Sequence, residues 1–243
     1  MNLYVVTGTT QGLGKALAER IARDPDNELI ALARAASGPI PGGMRIELDV
    51  ADTAALERAC DALERHVAGK RYAKAVLVNN AGVIPPVGPL ERLDAGDIER
   101  NLVVNLVAPM LLMRRFLRAT HDVALRRIIN ISSGAARRPI FGWSTYSAAK
   151  AGLDMASRAV ALEAETRGLA IEVASLAPGV IDTAMQETVR GSTAEDFADV
   201  ERFRAMKAEG VLRPADDVAA DILRLEAEGR LRGDAIQDLR SLA

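Results

Sequence analysis

Tyr146 and Lys150, in the stretch YSAAK, have the types and spacing to do acid–base chemistry. They are four residues apart in a segment with a helical pattern, so their side chains share one helix face. By itself such a pair is more typical of a solvated surface. Ser133 lies thirteen residues before Tyr146, just past the carboxyl end of a predicted strand, where a parallel sheet binds its ligands. The three side chains together indicate a catalytic site.

Reduction of a ketone is the chemistry that this set fits, because the substrate takes up a hydride at carbon and a proton at oxygen. A tyrosine phenol has an unperturbed pKa of about 10 and exchanges protons poorly at neutral pH. A neighbouring ammonium favours the tyrosinate and lowers that pKa. We therefore predict that Lys150 tunes Tyr146, that Tyr146 is the general acid, and that Ser133 donates to the carbonyl oxygen.

A glycine-rich turn, VTGTTQGLG at residues 6–14, follows the first predicted strand and opens the first predicted helix. Glycine adopts positive φ and lets a phosphate approach the backbone, and a helix N-terminus stabilises negative charge. Glycines also occur in turns that bind nothing, but this placement favours a pyrophosphate site. The predicted contacts are Gly8, Thr10, Gln11, Gly12, Leu13 and Gly14.

The elements that position these residues alternate between short β-branched runs and longer helical patterns. Such alternation predicts an α/β fold over residues 1–243, a single Rossmann-type domain with a doubly wound parallel sheet of about seven strands and helices on both faces. Residues from about 182 to 212 are predicted to form an excursion that covers the substrate. The predicted strands are 3–7, 29–33, 45–48, 75–78, 127–131, 171–176 and 235–237, and the predicted helices are 13–23, 53–67, 94–120, 145–167 and 214–228.

The composition argues against several function classes. Acidic and basic residues are interspersed with a net charge of −2, so no basic stripe indicates nucleic acid. No apolar stretch reaches the roughly 18 residues of a membrane helix. The single cysteine, Cys60, allows no intrachain disulfide and indicates a reducing, cytoplasmic compartment. His66 and His121 lack metal-ligand spacing, so we interpret them as surface residues and predict no metal site.

The glycine spacing T-G-x-x-x-G-x-G, with NNAG at 79–82, SS at 132–133 and YSAAK at 146–150, resembles the short-chain dehydrogenase/reductase family over nearly the whole chain. The stretches NISSGAARRPIFGWSTYSAAKAGLDM and APGVIDTAMQ are similar to its benzil reductase and sepiapterin reductase-like group. The resemblance implies a nicotinamide cofactor, a small carbonyl substrate, and catalytic roles for Ser133, Tyr146 and Lys150.

Asn105 is a fourth catalytic position that the resemblance implies, through a main-chain carbonyl that holds a proton-relaying water. Pro109, four residues later, has no N–H, so the Asn105 carbonyl loses its helical partner and is freed for that relay. The alternative is a buried asparagine whose side chain is satisfied by neighbouring backbone.

The end of the second predicted strand, ALAR, selects the cofactor. It carries Arg34 and no acidic residue, which favours NADP(H), although Arg34 is alternatively one of many exposed arginines. By resemblance, Asp49 and Val50 contact the adenine; Asp49 alternatively caps the next helix, but Asp52 or Thr53 is better placed to do so. The remaining contacts implied by resemblance are Asn80, Ala81 and Gly82 at the nicotinamide-side ribose, Val180 at the carboxamide, Thr183 near the diphosphate, and Tyr146, Lys150, Pro178 and Gly179.

The substrate pocket is predicted from apolar side chains on connections at the carboxyl edge of the sheet. Such a pocket, with few charges, favours an uncharged ketone or α-diketone flanked by rings or alkyl groups. Trp143 alternatively packs against its own loop. The predicted substrate contacts are Ile84, Ser133, Phe141, Trp143, Tyr146 and Met185.

Three alternative functions stay open at this point. Pterin reduction is the second choice because Gln237 stands where relatives carry a carboxylate, with Asp238 one position later. Alcohol oxidation with NAD is the nearest enzyme alternative. A dinucleotide-sensing module without catalysis is the third, but it has no need of a serine, a tyrosine and a lysine together.

The predicted helix 94–120 is apolar on more than one face. One face can pack on the sheet, and the surplus predicts a subunit interface, so we expect a homodimer or homotetramer. The alternative is an internal helix that is covered on all sides. The apolar residues are Leu102, Val103, Val104, Leu106, Val107, Met110, Leu111 and Leu112.

Overall fold

One sheet of seven parallel strands organises the computed structural model, which describes residues 1–34 and 43–242. The strands are β1 (Asn2–Thr7), β2 (Asn27–Ala33), β3 (Gly43–Glu47), β4 (Lys74–Asn79), β5 (Leu125–Ile131), β6 (Ile171–Ala177) and β7 (Ile236–Asp238). Their order is β3-β2-β1-β4-β5-β6-β7, so the direction of winding reverses between β1 and β4. This order confirms the predicted doubly wound sheet and puts its crevice at the carboxyl ends of these two strands.

Helices cover both faces of the sheet, as the alternation of patterns predicts. Asp52 caps α2 by accepting a hydrogen bond from the Ala55 N–H at 2.9 Å, so Asp49 is not the cap. The helices are α1 (Gly12–Ala22), α2 (Thr53–Val67), α3 (Ala95–Leu102), α4 (Ala108–Ala119), α5 (Ser144–Thr166), α6 (Ala184–Arg190), α7 (Val200–Ala208), α8 (Ala215–Ala227) and α9 (Leu239–Leu242).

The strand residues of the core alternate between two apolar layers. In β1, Leu3 and Val5 point to the layer under α2 and α4, whereas Tyr4 and Val6 point to the layer under α1 and α8. A central strand is therefore apolar on both sides, which is why these runs show no polar alternation. Each fully buried leucine or valine stabilises the fold by roughly 1.5–3 kcal/mol, and this burial fixes the sheet that carries the loops.

The predicted helix 94–120 is observed as α3 and α4 joined by a wider π-helical turn, Val103–Val107. In this turn the Ala108 N–H donates to the Val103 carbonyl, five residues back instead of four. Pro109 explains the change, because it has no N–H with which to continue the ordinary ladder. The turn leaves the two helices continuous, and Asn105 lies at its centre.

The excursion between β6 and α8 contains α6 and α7. It begins and ends at one point, where Ile181 forms a β-bridge with Arg213 and the Asp182 N–H donates to the Arg213 carbonyl at 3.0 Å. The segment is thus closed at its base and lies over the carboxyl edge of the sheet.

The structure places two residues considered in the sequence analysis, His66 and Cys60, in partly or fully buried positions. His66 is a partly exposed residue whose side chain is 25% accessible. Its Nε2 lies 2.6 Å from Glu28 Oε1, because the last turn of α2 packs beside the start of β2. Burial raises the pKa of the Cys60 thiol to about 11. Within the described ranges, no helix combines the length and apolar character needed to cross a membrane, and no three His, Cys, Asp or Glu side chains cluster as a metal site requires.

Candidate active site

A cavity of about 560 Å³ opens at the carboxyl edge of the sheet, where the doubly wound topology predicts a ligand site. Its walls come from the loops that follow the first six strands and from the excursion. The half predicted to bind a dinucleotide lies over β1 to β4, and the half predicted to bind the substrate lies between the β5–α5 connection and the excursion.

The glycine-rich turn needs glycine for conformation and for space. Gly8 and Gly12 have φ values of 72° and 55°, in the left-handed region that favours glycine. A Cβ on Gly14 would lie 2.2 Å from the Gly8 carbonyl oxygen, so no larger residue fits there. Gly14, predicted as a cofactor contact, does not line the cavity because it packs against the turn and Asn80.

The end of β1 is fastened to the NNAG segment that follows β4. The Thr7 hydroxyl accepts hydrogen bonds from the N–H groups of Asn80 and Ala81, both at 2.9 Å. The Asn80 side chain donates back to the carbonyls of Thr7 and Gly8, at 3.0 and 3.2 Å. Asn80 lines the cavity together with Ala81 and Gly82, but its amide is used to brace the glycine-rich turn.

The first turn of α1 has the features of an anion site. Its N-cap, Gln11, makes no side-chain capping bond, and the first turn carries no acidic residue. Free N–H groups at a helix N-terminus attract phosphate. A Cβ on Gly12 would approach Thr183 Cγ2 to 3.1 Å, so the backbone gap between α1 and the segment after β6 depends on glycine. These features suit the pyrophosphate predicted at this turn. The predicted cofactor contacts from the two segments that line the cavity are Thr10, Gln11, Gly12, Leu13, Pro178, Gly179, Val180 and Thr183.

The adenosine end of the cavity is lined by Arg34, Asp49 and Val50, as predicted, and also by Arg100. Arg34 is exposed, directly after β2. Burial raises the pKa of the Asp49 carboxyl, but the Ala51 N–H, Arg100 and Arg34 more than offset this, so that pKa lies below its ordinary value. Arg100 is 3.1 Å from Asp49. No local pattern relates α3 to the end of β3, so this arginine was not predicted as a cavity residue.

Ser133, Tyr146 and Lys150 meet at the middle of the cavity. Tyr146 and Lys150 are 6% and 5% exposed, and the Lys150 ammonium lies 5.8 Å from the centre of the Tyr146 ring. Lys150 donates to the Ile131 carbonyl at the end of β5, at 2.8 Å. The Ser133 oxygen accepts from the Ala135 N–H at 3.1 Å, a bond that does not use the hydroxyl proton.

Burial sets the proton affinities of this pair. It raises the pKa of the Tyr146 phenol, with Ser133 acting in the opposite direction, and it lowers the pKa of Lys150 to about 8, with Asp154 opposing the change. Lys150 is predicted to lower the pKa of Tyr146, but in this structure that pKa is raised. Both side chains are removed from water, and burial shifts each one toward its neutral form. A neutral phenol is the form that can donate a proton.

The Asn105 side chain is buried and hydrogen-bonded mainly to neighbouring backbone, which is the alternative to a catalytic role. It is fully buried: Oδ1 accepts from the Val83 N–H at 3.2 Å, and Nδ2 donates to the Val83 carbonyl at 2.8 Å and to Asn101. It thereby pins the loop after β4, and it does not line the cavity. A catalytic role is left to its main-chain carbonyl, four residues before Pro109.

The substrate half of the cavity is mainly apolar, but Phe141 is not part of it. Ile84, Trp143 and Met185 line the wall as predicted, whereas Phe141 is 55% exposed and points outward. Gly142 explains this outcome: its φ of 79° turns the chain, and its Cα lies so close to the Asp196 carbonyl that no Cβ fits. The turn sends Trp143 inward and leaves Phe141 in solvent. The further apolar lining comes from Ile140, Val180, Phe203 and Met206.

The cavity also carries more charge than the sequence indicated. Gln237 and Asp238, weighed as a pterin anchor, do not line it; Gln237 Nε2 donates to the Asp234 carbonyl at 3.0 Å, and Asp238 pairs with Arg240 at 2.6 Å. Arg240 itself lines the cavity, beside Gly179. The other residues that sequence reasoning missed are Arg138, Gln186 and Arg202, whose approach to the cavity depends on tertiary packing alone.

Comparisons with known proteins agree with this arrangement. A family model described as short chain dehydrogenase matches residues 2–194. Benzil reductase ((S)-benzoin forming) from Bacillus subtilis is 34% identical over 235 residues, which cover 96% of each chain. Sepiapterin reductase from Meriones unguiculatus is 30% identical over 91% of this chain and 89% of that protein. The crystal structure of the KRED1-Pglu enzyme superposes with a TM-score of 0.81 at 28% identity, over 93% of this chain and 94% of that chain.

Proposed function

This chain belongs to the short-chain dehydrogenase family, and within it we propose an NADPH-dependent reductase of an apolar or aromatic ketone or α-diketone. One observation carries the proposal: Ser133, Tyr146 and Lys150 share a cavity with an uncapped helix N-terminus and an arginine at the end of β2. A binding module without catalysis has no use for the first three side chains.

The reaction converts a carbonyl group to an alcohol. NADPH supplies the hydride to the carbonyl carbon when it is bound. Ser133 donates a hydrogen bond to the carbonyl oxygen and orients it. Tyr146 gives its phenolic proton to that oxygen as negative charge develops there, and the tyrosinate is stabilised by the Lys150 ammonium. Tyr146 then regains a proton from solvent. We expect this proton to pass along a water held by the Asn105 main-chain carbonyl and the Lys150 ammonium.

The preference for NADPH rests on charge at the end of β2. Arg34 is exposed on the cavity wall, and no acidic residue stands at this position to repel a 2′-phosphate or to bind the ribose hydroxyls of NAD. Arginine binds phosphate with a planar set of donors. Oxidation of an alcohol with NAD is the less favoured alternative.

The substrate class rests on the apolar wall that includes Ile84, Trp143 and Met185. Such a wall suits rings or alkyl groups beside the reacting carbonyl. Relatives named benzil reductase are 34% identical to this chain, which supports an aromatic α-diketone reduced to a hydroxy-ketone. Pterin reduction is the second candidate, supported by a relative named sepiapterin reductase. It is less favoured because Arg240, not a carboxylate, extends from the C-terminal segment to the cavity.

We also infer that two copies of this chain associate through α4 and α5. Met110 of α4 and Met155 of α5 are 48% and 60% exposed. Val107, directly before α4, and Leu162 of α5 are exposed as well. Large apolar side chains exposed on neighbouring helices mark an interface. We thus keep the prediction of a homodimer or homotetramer and assign its subunit interface to α4 and α5.

A substrate panel tests the proposed function. The purified chain is mixed with NADPH or NADH and with benzil, 1-phenyl-1,2-propanedione or sepiapterin, and cofactor oxidation is followed at about 340 nm. We expect the highest kcat/KM for a diketone with NADPH. Faster turnover of sepiapterin would favour the pterin alternative, and NADPH binding without turnover of any carbonyl would favour the non-catalytic module.

A further inference from the structure

A buried carboxylate, Asp154, lies beside the catalytic residues and has no part in the reaction as described. It is eight residues after Tyr146 and four after Lys150 on α5, so the three side chains occupy one helix face. Asp154 is 5% exposed. An ionised carboxylate is costly to bury unless it is hydrogen-bonded or paired with a cation, so its position calls for a physical reason.

The contacts of Asp154 join α5 to two strands of the sheet. Its Oδ1 accepts a hydrogen bond from the Ser132 hydroxyl at 2.5 Å and from the Ser175 hydroxyl at 2.7 Å. Ser132 directly follows the last residue of β5 and precedes Ser133, and Ser175 lies in β6. The carboxylate thus fixes the position of Ser133 relative to the helix that carries Tyr146 and Lys150.

Hydrogen bonding alone does not require a charge at this place. One turn further along α5, the buried Ser157 accepts from Asn130 of β5 at 2.8 Å and donates to the Leu153 carbonyl at 2.7 Å. A neutral side chain therefore joins the same helix to the same sheet. The carboxylate at Asp154 adds a negative charge to that function, one helical turn from the Lys150 ammonium.

We propose that Asp154 is a positioning residue whose buried negative charge keeps Lys150 in its ammonium form and whose hydrogen bonds hold Ser133 against α5. The expected effect of Asp154 on turnover rests on the proposed function, whereas its effect on the protonation of Lys150 does not. Burial works against the ammonium and lowers the pKa of Lys150 to about 8, and the charge of Asp154 opposes that change.

The charged groups around Asp154 come from three parts of the fold. Lys150 lies on the same helix, and the Arg137 Nε, from the connection after β5, is 3.8 Å from Asp154 Oδ2. Arg137 also lies 3.8 Å from Asp238 at the end of β7. The facing groups on the sheet side are the hydroxyls of Ser132, just after β5, and of Ser175 in β6, which do not titrate. On Lys150, Asp154 is the charged group that acts against the effect of burial, and Arg137 is the cation beside Asp154.

Titration of Lys150 in the cofactor-free protein tests the proposal without any assumption about substrate. The chain has five lysines, so lysine labelled with ¹³C at Cε gives few NMR signals, and Lys150→Arg assigns the one of interest. We expect Asp154→Asn, which keeps an acceptor for both serines, to lower the titration midpoint of Lys150 by about one pH unit, a tenfold change in the protonation equilibrium. Ser157→Ala, a loss of a buried hydroxyl on the same helix, leaves the midpoint unchanged.

The pH profile of turnover gives the second readout. If the ammonium form is the active one, kcat of Asp154→Asn falls about fivefold at pH 8 and less than about 1.5-fold at pH 6. A merely structural disturbance lowers kcat equally at both pH values. The emission of Trp143, the single tryptophan, reports whether the pocket keeps its structure, because its ring lies 5.4 Å from Tyr146.

The proposal is overturned if the Lys150 midpoint is the same in Asp154→Asn and the unsubstituted chain, or if Ser157→Ala moves it equally. If Asp154→Asn does not fold, Arg137→Gln replaces it. Removing that partly exposed cation frees more of the Asp154 field, so the Lys150 midpoint rises; a midpoint that does not rise contradicts the proposal. If no carbonyl is turned over but the Lys150 midpoint is shifted in Asp154→Asn, the proposed function is wrong and the inference about Asp154 is still supported.

Discussion

Trp143 stacks on Phe197, with ring centroids 4.8 Å apart and ring planes inclined by 18°. Trp143 lines the substrate half of the cavity, whereas Phe197 is fully buried behind it and does not reach the cavity. The β5–α5 connection and the excursion are therefore held together at the substrate wall. Both interpretations of Trp143 therefore hold in part: it packs against Phe197 of the excursion, and it also lines the cavity.

The first prediction uses this stack. Trp143→Ala lowers kcat/KM for a diketone by about tenfold or more, because it removes a ring from the substrate wall. Phe197→Leu lowers it less, because only the support of that ring changes. Phe141→Ala is the matched control: it removes an aromatic ring two residues away that points into solvent, and kcat/KM stays the same. An equal loss in Phe141→Ala would show that the whole loop, not the Trp143 ring, matters.

The second prediction concerns the general acid. Tyr146→Phe keeps the ring and its packing but loses the proton donor, so turnover falls by at least about two orders of magnitude. Cofactor affinity, measured through the emission of Trp143, stays within about twofold because the phenol is not needed for the glycine-rich turn to bind phosphate. Turnover close to that of the unsubstituted chain would exclude Tyr146 as the acid.

Much of this site was predictable because its signals are local. The spacing of Tyr146 and Lys150 fixes a shared helix face, and the run before Gly8 fixes a strand whose end meets a helix N-terminus. The order of strands and helices then brings these segments to one edge of the sheet. The strand and helix ranges predicted from pattern agree with the observed ones to within a few residues, and α2 agrees at both ends.

The remaining features depend on contacts that no local pattern encodes. Phe141 and Trp143 are equivalent in the sequence, and only the meeting of Gly142 with Asp196 decides which one faces inward. The setting of Asn105 depends on where the loop at Val83 comes to lie. The arginines of the cavity belong to segments far apart in the chain, so their convergence is a property of the fold.

The third prediction concerns cofactor choice. A hydrogen-bonded ion pair between Arg34 and a 2′-phosphate contributes on the order of 1.5–3 kcal/mol, or roughly 10- to 150-fold in affinity. Arg34→Asp therefore lowers the NADPH/NADH ratio of kcat/KM by about that factor. Lys15→Asp makes the same change of charge on the exposed side of α1, outside the cavity, and leaves the ratio unaltered. A ratio that Arg34→Asp does not change would assign the phosphate to another residue.

The fourth prediction concerns pH. Burial lowers the pKa of Lys150 to about 8, so the ammonium form is complete below that value and is lost as the pH rises through it. Burial raises the pKa of Tyr146, so the phenol stays protonated over the same interval. Hence kcat for carbonyl reduction is level near pH 6 to 7 and falls about tenfold per pH unit well above pH 8. The profile is measured at saturating cofactor and substrate; a kcat that rises between pH 7 and 9 would contradict the roles given to this pair.

The last prediction concerns assembly. Met110 and Met155 are exposed on neighbouring helices, and burial of such side chains in a subunit interface contributes roughly 1.5–3 kcal/mol each. We expect light scattering at micromolar concentration to report a dimer or tetramer. Met110→Asp combined with Met155→Asp places charges in that interface and shifts the population toward monomer, because a buried unpaired carboxylate is strongly unfavourable. Leu90→Asp is the control, since Leu90 is exposed to a similar degree but lies on the short turn before α3, away from α4 and α5. If the unsubstituted chain is monomeric, or if Leu90→Asp dissociates it as readily as the paired methionine substitutions, α4 and α5 do not form the interface.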